Sequence, residues 1–173
     1  PEYPTSSDIN QIAKVHFKKL NAFFDRVEKY YDCRVIIAAH PIADYRDNPF
    51  GGREICYDNS ERLIAGSIAC LQHGSCALSY VMLHNKPVAL LLDEEMKCNQ
   101  RWIKAVETYH NKYNIELKYI DDLSVSPEIP ILLQFFPTKI IKEMYGDVDE
   151  SHYEYNKDLL KKNLIEIYHE MYG

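Results

Sequence analysis

The stretch that decides the fold is "CLQHGSCALSYVMLHNKPVALLLDEE", Cys70 to Glu95. It opens on the end of one apolar run, "SIACLQH", and closes on a second, "VALLLD". Both read as strands buried on two faces, as in a parallel sheet. Between them "SCALSYVMLHN" reads as a helix that follows Gly74 directly, and Lys86-Pro87 opens the next strand. Strand, helix, strand in that order is a parallel unit joined by a right-handed crossover. The break between the runs places His73, Gly74 and Ser75 at a strand-to-helix turn.

Outward from this unit the same alternation continues. Upstream, Ile12, Val15, Leu20, Phe23, Phe24 and Val27 recur at helical spacing from Asp8 to Tyr31, with Ser7 or Asp8 available as an N-cap. "CRVIIAAHP", Cys33 to Pro41, is a β-branched run that reads as another buried strand, with His40-Pro41 at its carboxyl end. "IADYRDNPFGGREICYDN" reads as a long loop with a short strand near Glu54 to Tyr57, and Ser60 is expected to cap a short helix through Leu63 and Ile64. Downstream, a helix is expected over roughly Met96 to Tyr113, and "IELKYID" is a fourth strand candidate. Beyond Leu123 the prolines of "SVSPEIPILLQFFPTKIIKEMYGD" and the pattern of "ESHYEYNKDLLKKNLIEIYHEMYG" suggest bracing helices. The expectation is an α/β, Rossmann-like parallel sheet sandwiched by helices, one domain over residues 1–173. The chain opens on "PEYPTSSDINQ" and runs at once into helical pattern, which reads as the C-terminal part of a longer chain.

Composition narrows the chemistry. Twenty basic against 26 acidic side chains leave a formal charge of -6, which argues against a surface built to neutralise nucleic-acid phosphates. An anion site must then be local. The five cysteines form no CxxC, and the single CxxH, Cys70-Leu71-Gln72-His73, has no second such pair to make a zinc-type set, so no metal site is expected and reduced cytosolic thiols fit best. No apolar run approaches the roughly 18 residues that span a bilayer.

In an open parallel sheet ligands bind outside the carboxyl ends of the strands. Three polar groups fall there: His40-Pro41, His73-Gly74-Ser75 and Asp93-Glu94-Glu95. Gly74 permits a tight turn, and the N–H groups of Ser75, Cys76 and Ala77 would face an anion at the positive end of the helix. The alternative is that Ser75 caps its own helix and His73 is a structural strand-end histidine. His40 and His73 together could hydrogen-bond one phosphate or sugar. Arg53, in "NPFGGRE", suits bidentate phosphate contact or is a solvated turn residue. Asp93-Glu94-Glu95 could hold ribose hydroxyls, although acids in a first helical turn also favour its dipole. No GxSxG, GxGxxG or GxxxxGK[ST] occurs, so nucleophile-elbow, dinucleotide and P-loop chemistries recede and no cofactor is expected.

The order "FKKLNAFFDRVEKYYDCRVIIAAHP", "NPFGGRE" and "LIAGSIACLQHGSCALSYVMLHNKPVALL" resembles the C-terminal, donor-binding half of GT-B-type bacterial glycosyltransferases of surface-polysaccharide clusters, over roughly Phe17 to Leu92. In sialyltransferase-like members a His-Pro motif and a serine motif hold the nucleotide phosphate, and His40-Pro41 and Ser75 resemble those positions. Here the serine motif is His-Gly-Ser rather than a doubled serine, and the family's acidic base lies in the other half. The resemblance implies a nucleotide-activated sugar donor bound by His40, Pro41, Arg53, His73, Gly74 and Ser75, and a saccharide acceptor. It also implies a cytoplasmic protein, with peripheral association of the full-length enzyme at the inner membrane face as an option. Two rivals are a non-catalytic sugar- or nucleotide-binding module and a sugar-nucleotide epimerase-like domain.

Overall fold

The computed structural model describes residues 6–130, apart from Pro41, Asp58 and Cys76. The bracing helices expected beyond residue 130, and the assignments to Pro41 and Cys76, lie outside the described residues. Four helices and five strands follow in order: α1 (Ser6–Tyr31), β1 (Ile37–Ala38), β2 (Ile55–Cys56), α2 (Ser60–Gly66), β3 (Cys70–Gln72), α3 (Leu78–Leu83), β4 (Val88–Leu92), α4 (Gln100–Tyr113) and β5 (Glu116–Tyr119). A 3₁₀ turn, Glu95–Cys98, precedes α4.

All pairings are parallel. β1 lies beside β2, and β3, β4 and β5 form a second sheet in that order. The middle strand β4 is buried along its whole length, and alternation sends its side chains to two different layers. Val88, Leu90 and Leu92 pack with Leu78, Val81 and Met82 of α3 and with Val106 and Tyr109 of α4. Ala89 and Leu91 pack with Leu20, Phe23, Phe24 and Val27 of α1, a cluster that Ile37, Ile55 and Leu71 also join. The architecture is therefore the α/β one expected, parallel strands with helices on both faces. Burying each large apolar side chain of these layers contributes roughly 1.5–3 kcal/mol.

The helix ends follow from local chemistry. Asp32, Asn85 and Asn114 adopt left-handed φ values of 48°, 47° and 53° directly after or near the ends of α1, α3 and α4, the conformation in which Asn and Asp stop a helix. The Asn99 side chain accepts from the N–H groups of Arg101 and Trp102 and starts α4.

Four local expectations are corrected. The single helix expected from Met96 is a 3₁₀ turn followed by α4, because Asn99 is extended and caps a fresh helix. β1 is only two residues long, and Ile36 and Ala38 are exposed, so "CRVIIAAHP" is not a strand buried on both faces. The cap of α2 is Asn59, in a left-handed conformation, rather than Ser60, which is the helix's first residue. And α3 begins at Leu78, not beside Gly74, because Ser75 closes a turn on itself: its hydroxyl accepts from Ala77 N–H at 3.2 Å and its carbonyl from Leu78 N–H at 3.1 Å.

Candidate functional site

The carboxyl ends of β3, β4 and β5 converge on a group of polar side chains that α1 completes. Asp93 follows β4 directly and its side chain is fully buried. One of its oxygens accepts from Met96 N–H at 2.9 Å, capping the 3₁₀ turn. The other lies 2.6 Å from His16 Nδ1 of α1. Burial alone would raise the Asp93 carboxyl, but the His16 hydrogen bond and charge, the Met96 N–H and the Lys19 ammonium together hold it below the ordinary carboxylate range. Asp93 is therefore an anion at neutral pH, and its partner nitrogen carries the proton.

His73, at the end of β3, meets the His16 ring edge-on with centroids 5.6 Å apart. Burial, and then the charge of His16, push its pKa down to about 4 against the opposing pull of Asp93, so His73 is neutral at physiological pH. One turn along α1 from His16, Lys19 bonds both Glu95 and Asp121, and Asp121 also accepts from Glu94 N–H at 3.0 Å. Burial opposes the Lys19 charge, but these two carboxylates outweigh it and hold its pKa above the ordinary lysine value. Three carboxylates, one ammonium and two imidazoles thus meet at this edge. Such a group makes hydrogen bonds to hydroxyls and exchanges protons with them.

The residues expected at the site separate into two sets. His73 belongs to the group. Gly74 has φ +79°, as a tight turn requires, but it is buried, and a Cβ there would lie 3.0 Å from Ala105 Cβ and 3.3 Å from Val106 N. Its lack of a side chain serves close packing on α4 rather than ligand approach. Ser75 is exposed and caps its own turn. The Ala77 N–H counted toward an anion cradle is already bonded to it.

His40 is exposed after β1, where its Nδ1 accepts from Ile42 N–H at 3.3 Å; no hydrogen bond or ring contact joins it to His73 among those described. Arg53 is neither a free phosphate contact nor a solvated turn residue. Its guanidinium binds Glu28 and Asp25 at 2.6 Å and Asn21 at 3.1 Å, and lies over the Phe24 ring. That set of partners ties the "NPFGG" loop to α1. Of the third polar group, Asp93 and Glu95 do reach the site, as ionic partners of His16 and Lys19.

His16, Lys19 and Asp121 were missed. The available signal was a histidine at the i+4 position from Ile12 and the i−4 position from Leu20, inside the apolar stripe of α1, where a polar ring needs a partner. A separate open groove lies along the outer flank of β5, bordered by His110, Glu116, Lys118 and Glu128. It starts at the amino end of that strand, and its lysine is neutralised by Glu116 at 2.9 Å, so it shares nothing with the carboxyl-edge group. Among the described residues no cluster of His, Cys, Asp and Glu could hold a metal ion, and no helix is long and apolar enough to cross a membrane. No protein-family model matches the chain, and no curated protein or solved structure matches it.

Proposed function

We propose that the chain binds a sugar at the carboxyl edge of β3–β5 and serves as the donor-binding domain of a glycosyltransferase of surface-polysaccharide biosynthesis, taking a nucleotide-activated sugar and passing it to a saccharide acceptor in the cytoplasm. The observation that carries the reading is the position of the His16–Asp93–His73 group. It stands outside the carboxyl ends of an open parallel sheet, where α/β domains bind small ligands, and it offers the mixture of carboxylates and neutral imidazole that sugar hydroxyls need. The sequence resemblance over Phe17 to Leu92 supplies the nucleotide. The described residues at this edge include no unpaired arginine or lysine, so recognition of the sugar is expected to outweigh recognition of the phosphate.

Titration of the full chain with UDP-glucose, GDP-mannose and CMP-sialic acid, followed by amide and imidazole NMR shifts, tests this. The expected result is a shift cluster at His16, His73 and residues 93–95 with one of the donors, with the matching free nucleotide binding more weakly. Shifts confined to the groove beside Lys118, or no shifts with any of the three, would remove the reading. Donor binding without turnover in the presence of acceptor would instead favour a binding module, and donor conversion without acceptor an epimerase-like domain.

A further inference from the structure

Activation of the accepting hydroxyl is the chemistry that the His16–Asp93 pair performs best. We propose that His16 Nε2 is the proton acceptor for the hydroxyl that attacks the bound sugar, with Asp93 as the positioning residue that fixes the ring through Nδ1–H. The proposal rests on the sugar-donor reading above and adds to this domain a base of its own.

The geometry fixes the tautomer. A buried, ionised carboxylate 2.6 Å from Nδ1 requires a proton on that nitrogen, so in the neutral form of the ring the lone pair lies on Nε2. Asp93 is itself held by Met96 N–H, so the ring cannot swing with the carboxylate. The His16 side chain is 14% exposed, so it is packed but not sealed from solvent. The groups near it come from every neighbouring element: Asp93 after β4 bonds Nδ1 and neutral His73 after β3 meets the ring edge-on, while Lys19 on its own helix is matched by Glu95 of the 3₁₀ turn and Asp121 after β5. Asp93 against Nδ1 is a counter-ion for the imidazolium that forms when Nε2 takes a proton, and three carboxylates against one ammonium at this edge disfavour an anionic group there. That electrostatic surround suits a base acting on a neutral hydroxyl rather than an anion receptor.

The step balances. The hydroxyl proton moves to Nε2 as its oxygen forms a bond to the anomeric carbon. The bond from that carbon to the phosphate oxygen breaks, and the nucleotide leaves with the electron pair. The imidazolium then returns its proton to water or to the released phosphate.

The test uses the full chain with the same three donors and water as the accepting hydroxyl, read as released nucleotide, together with imidazole ¹⁵N NMR. His16→Gln is expected to lower kcat about 10²-fold with little change in KM. Asp93→Asn should lower kcat as well and erase the deshielded Nδ1 proton. A donor turned over at the wild-type kcat by His16→Gln would overturn the inference and leave the donor reading standing. If no donor binds or turns over, the donor reading falls, and the tautomer decides the rest: a neutral ring protonated at Nδ1 keeps His16 as a base for some other hydroxyl ligand, whereas an Nε2–H ring overturns it. Should Asp93→Asn fail to fold, Asp93→Glu provides the second variant, expected to retain the tautomer and part of the activity.

Discussion

Gly74→Ala separates a packing role from a ligand role at the turn after β3. An L-residue at φ +79° is strained by about 1–2 kcal/mol. The added Cβ also arrives 3.0 Å from Ala105 Cβ, 3.3 Å from Val106 N and 3.4 Å from Val106 Cγ2. Neither the α4 backbone nor a fully buried Val106 can retreat without disturbing the core, and overpacking of this kind costs about 1–3 kcal/mol. The expected total is about 3 kcal/mol, which at a typical slope lowers the urea midpoint by about 1.5 M. The partner Ala105→Gly removes the tightest contact at its own cost of about 1 kcal/mol for a helical glycine. Combining the two should recover about 1 kcal/mol relative to additivity, since the Val106 contacts and the φ strain persist. Equilibrium urea unfolding of the four proteins, without ligand, measures the cycle. A Gly74→Ala protein within 0.5 kcal/mol of wild type, or a cycle with no coupling, would refute the packing account and return Gly74 to the ligand.

Other perturbations test other parts of the edge. His73 is depressed from 6.5 to about 4 in the folded protein, so the unfolded chain binds the extra proton first. Stability is full above pH 6.5 and falls by about 3 kcal/mol as the pH drops through that window; His73→Gln should flatten this part of a pH series of unfolding curves. Asp93 and Glu28, both held low by their cationic partners, add losses of the same sign in acid. Arg53→Ala should destabilise by about 2–3 kcal/mol, because Glu28 and Asp25 lose their partner and Phe24 its cover, while donor titrations stay unchanged; weakened binding in a fully folded variant would restore Arg53 to the site. Asn99→Ala should cost about 1 kcal/mol in thermal or urea unfolding as α4 loses its cap.

The layers of the fold were readable because burial on both faces leaves a plain mark: "VALLL" has no polar residue to place, and the helical stripe of α1 is regular. The edges were less readable. Helix starts depended on side chains competing for the same N–H groups, so Ser75 shortened α3 and Asn99 split the helix after Asp93. The site was half readable. Strand ends pointed to His73 and Asp93, since the carboxyl edge follows from strand direction alone. His16 and Arg53 could not be placed that way, because their partners lie 77 and 25 residues away along the chain. An arginine beside two glycines looks like a phosphate ligand until the acids that claim it are known.

The distribution of cations explains why the carboxyl edge is unlike a phosphate cradle. Arg53 is consumed by Glu28 and Asp25, and Lys19 by Glu95 and Asp121, so these two cations are matched before a ligand arrives. The remaining proton-bearing groups at the edge are imidazoles, one held neutral by burial and one clamped to an anion. A ligand that brought two phosphate charges would meet Asp93, Glu95 and Asp121 with only Lys19 to offset them, a repulsion that grows as salt is removed. A ligand that brings hydroxyls meets Asp121, an acceptor already oriented by Glu94 N–H and Lys19. Binding of a sugar donor here is therefore expected to tighten, or at least hold constant, as ionic strength rises from 20 to about 200 mM, measured calorimetrically at fixed pH. Affinity that falls steeply over that range would mean that a cationic phosphate site carries the binding, and that the carboxylate group at the end of β4 does not.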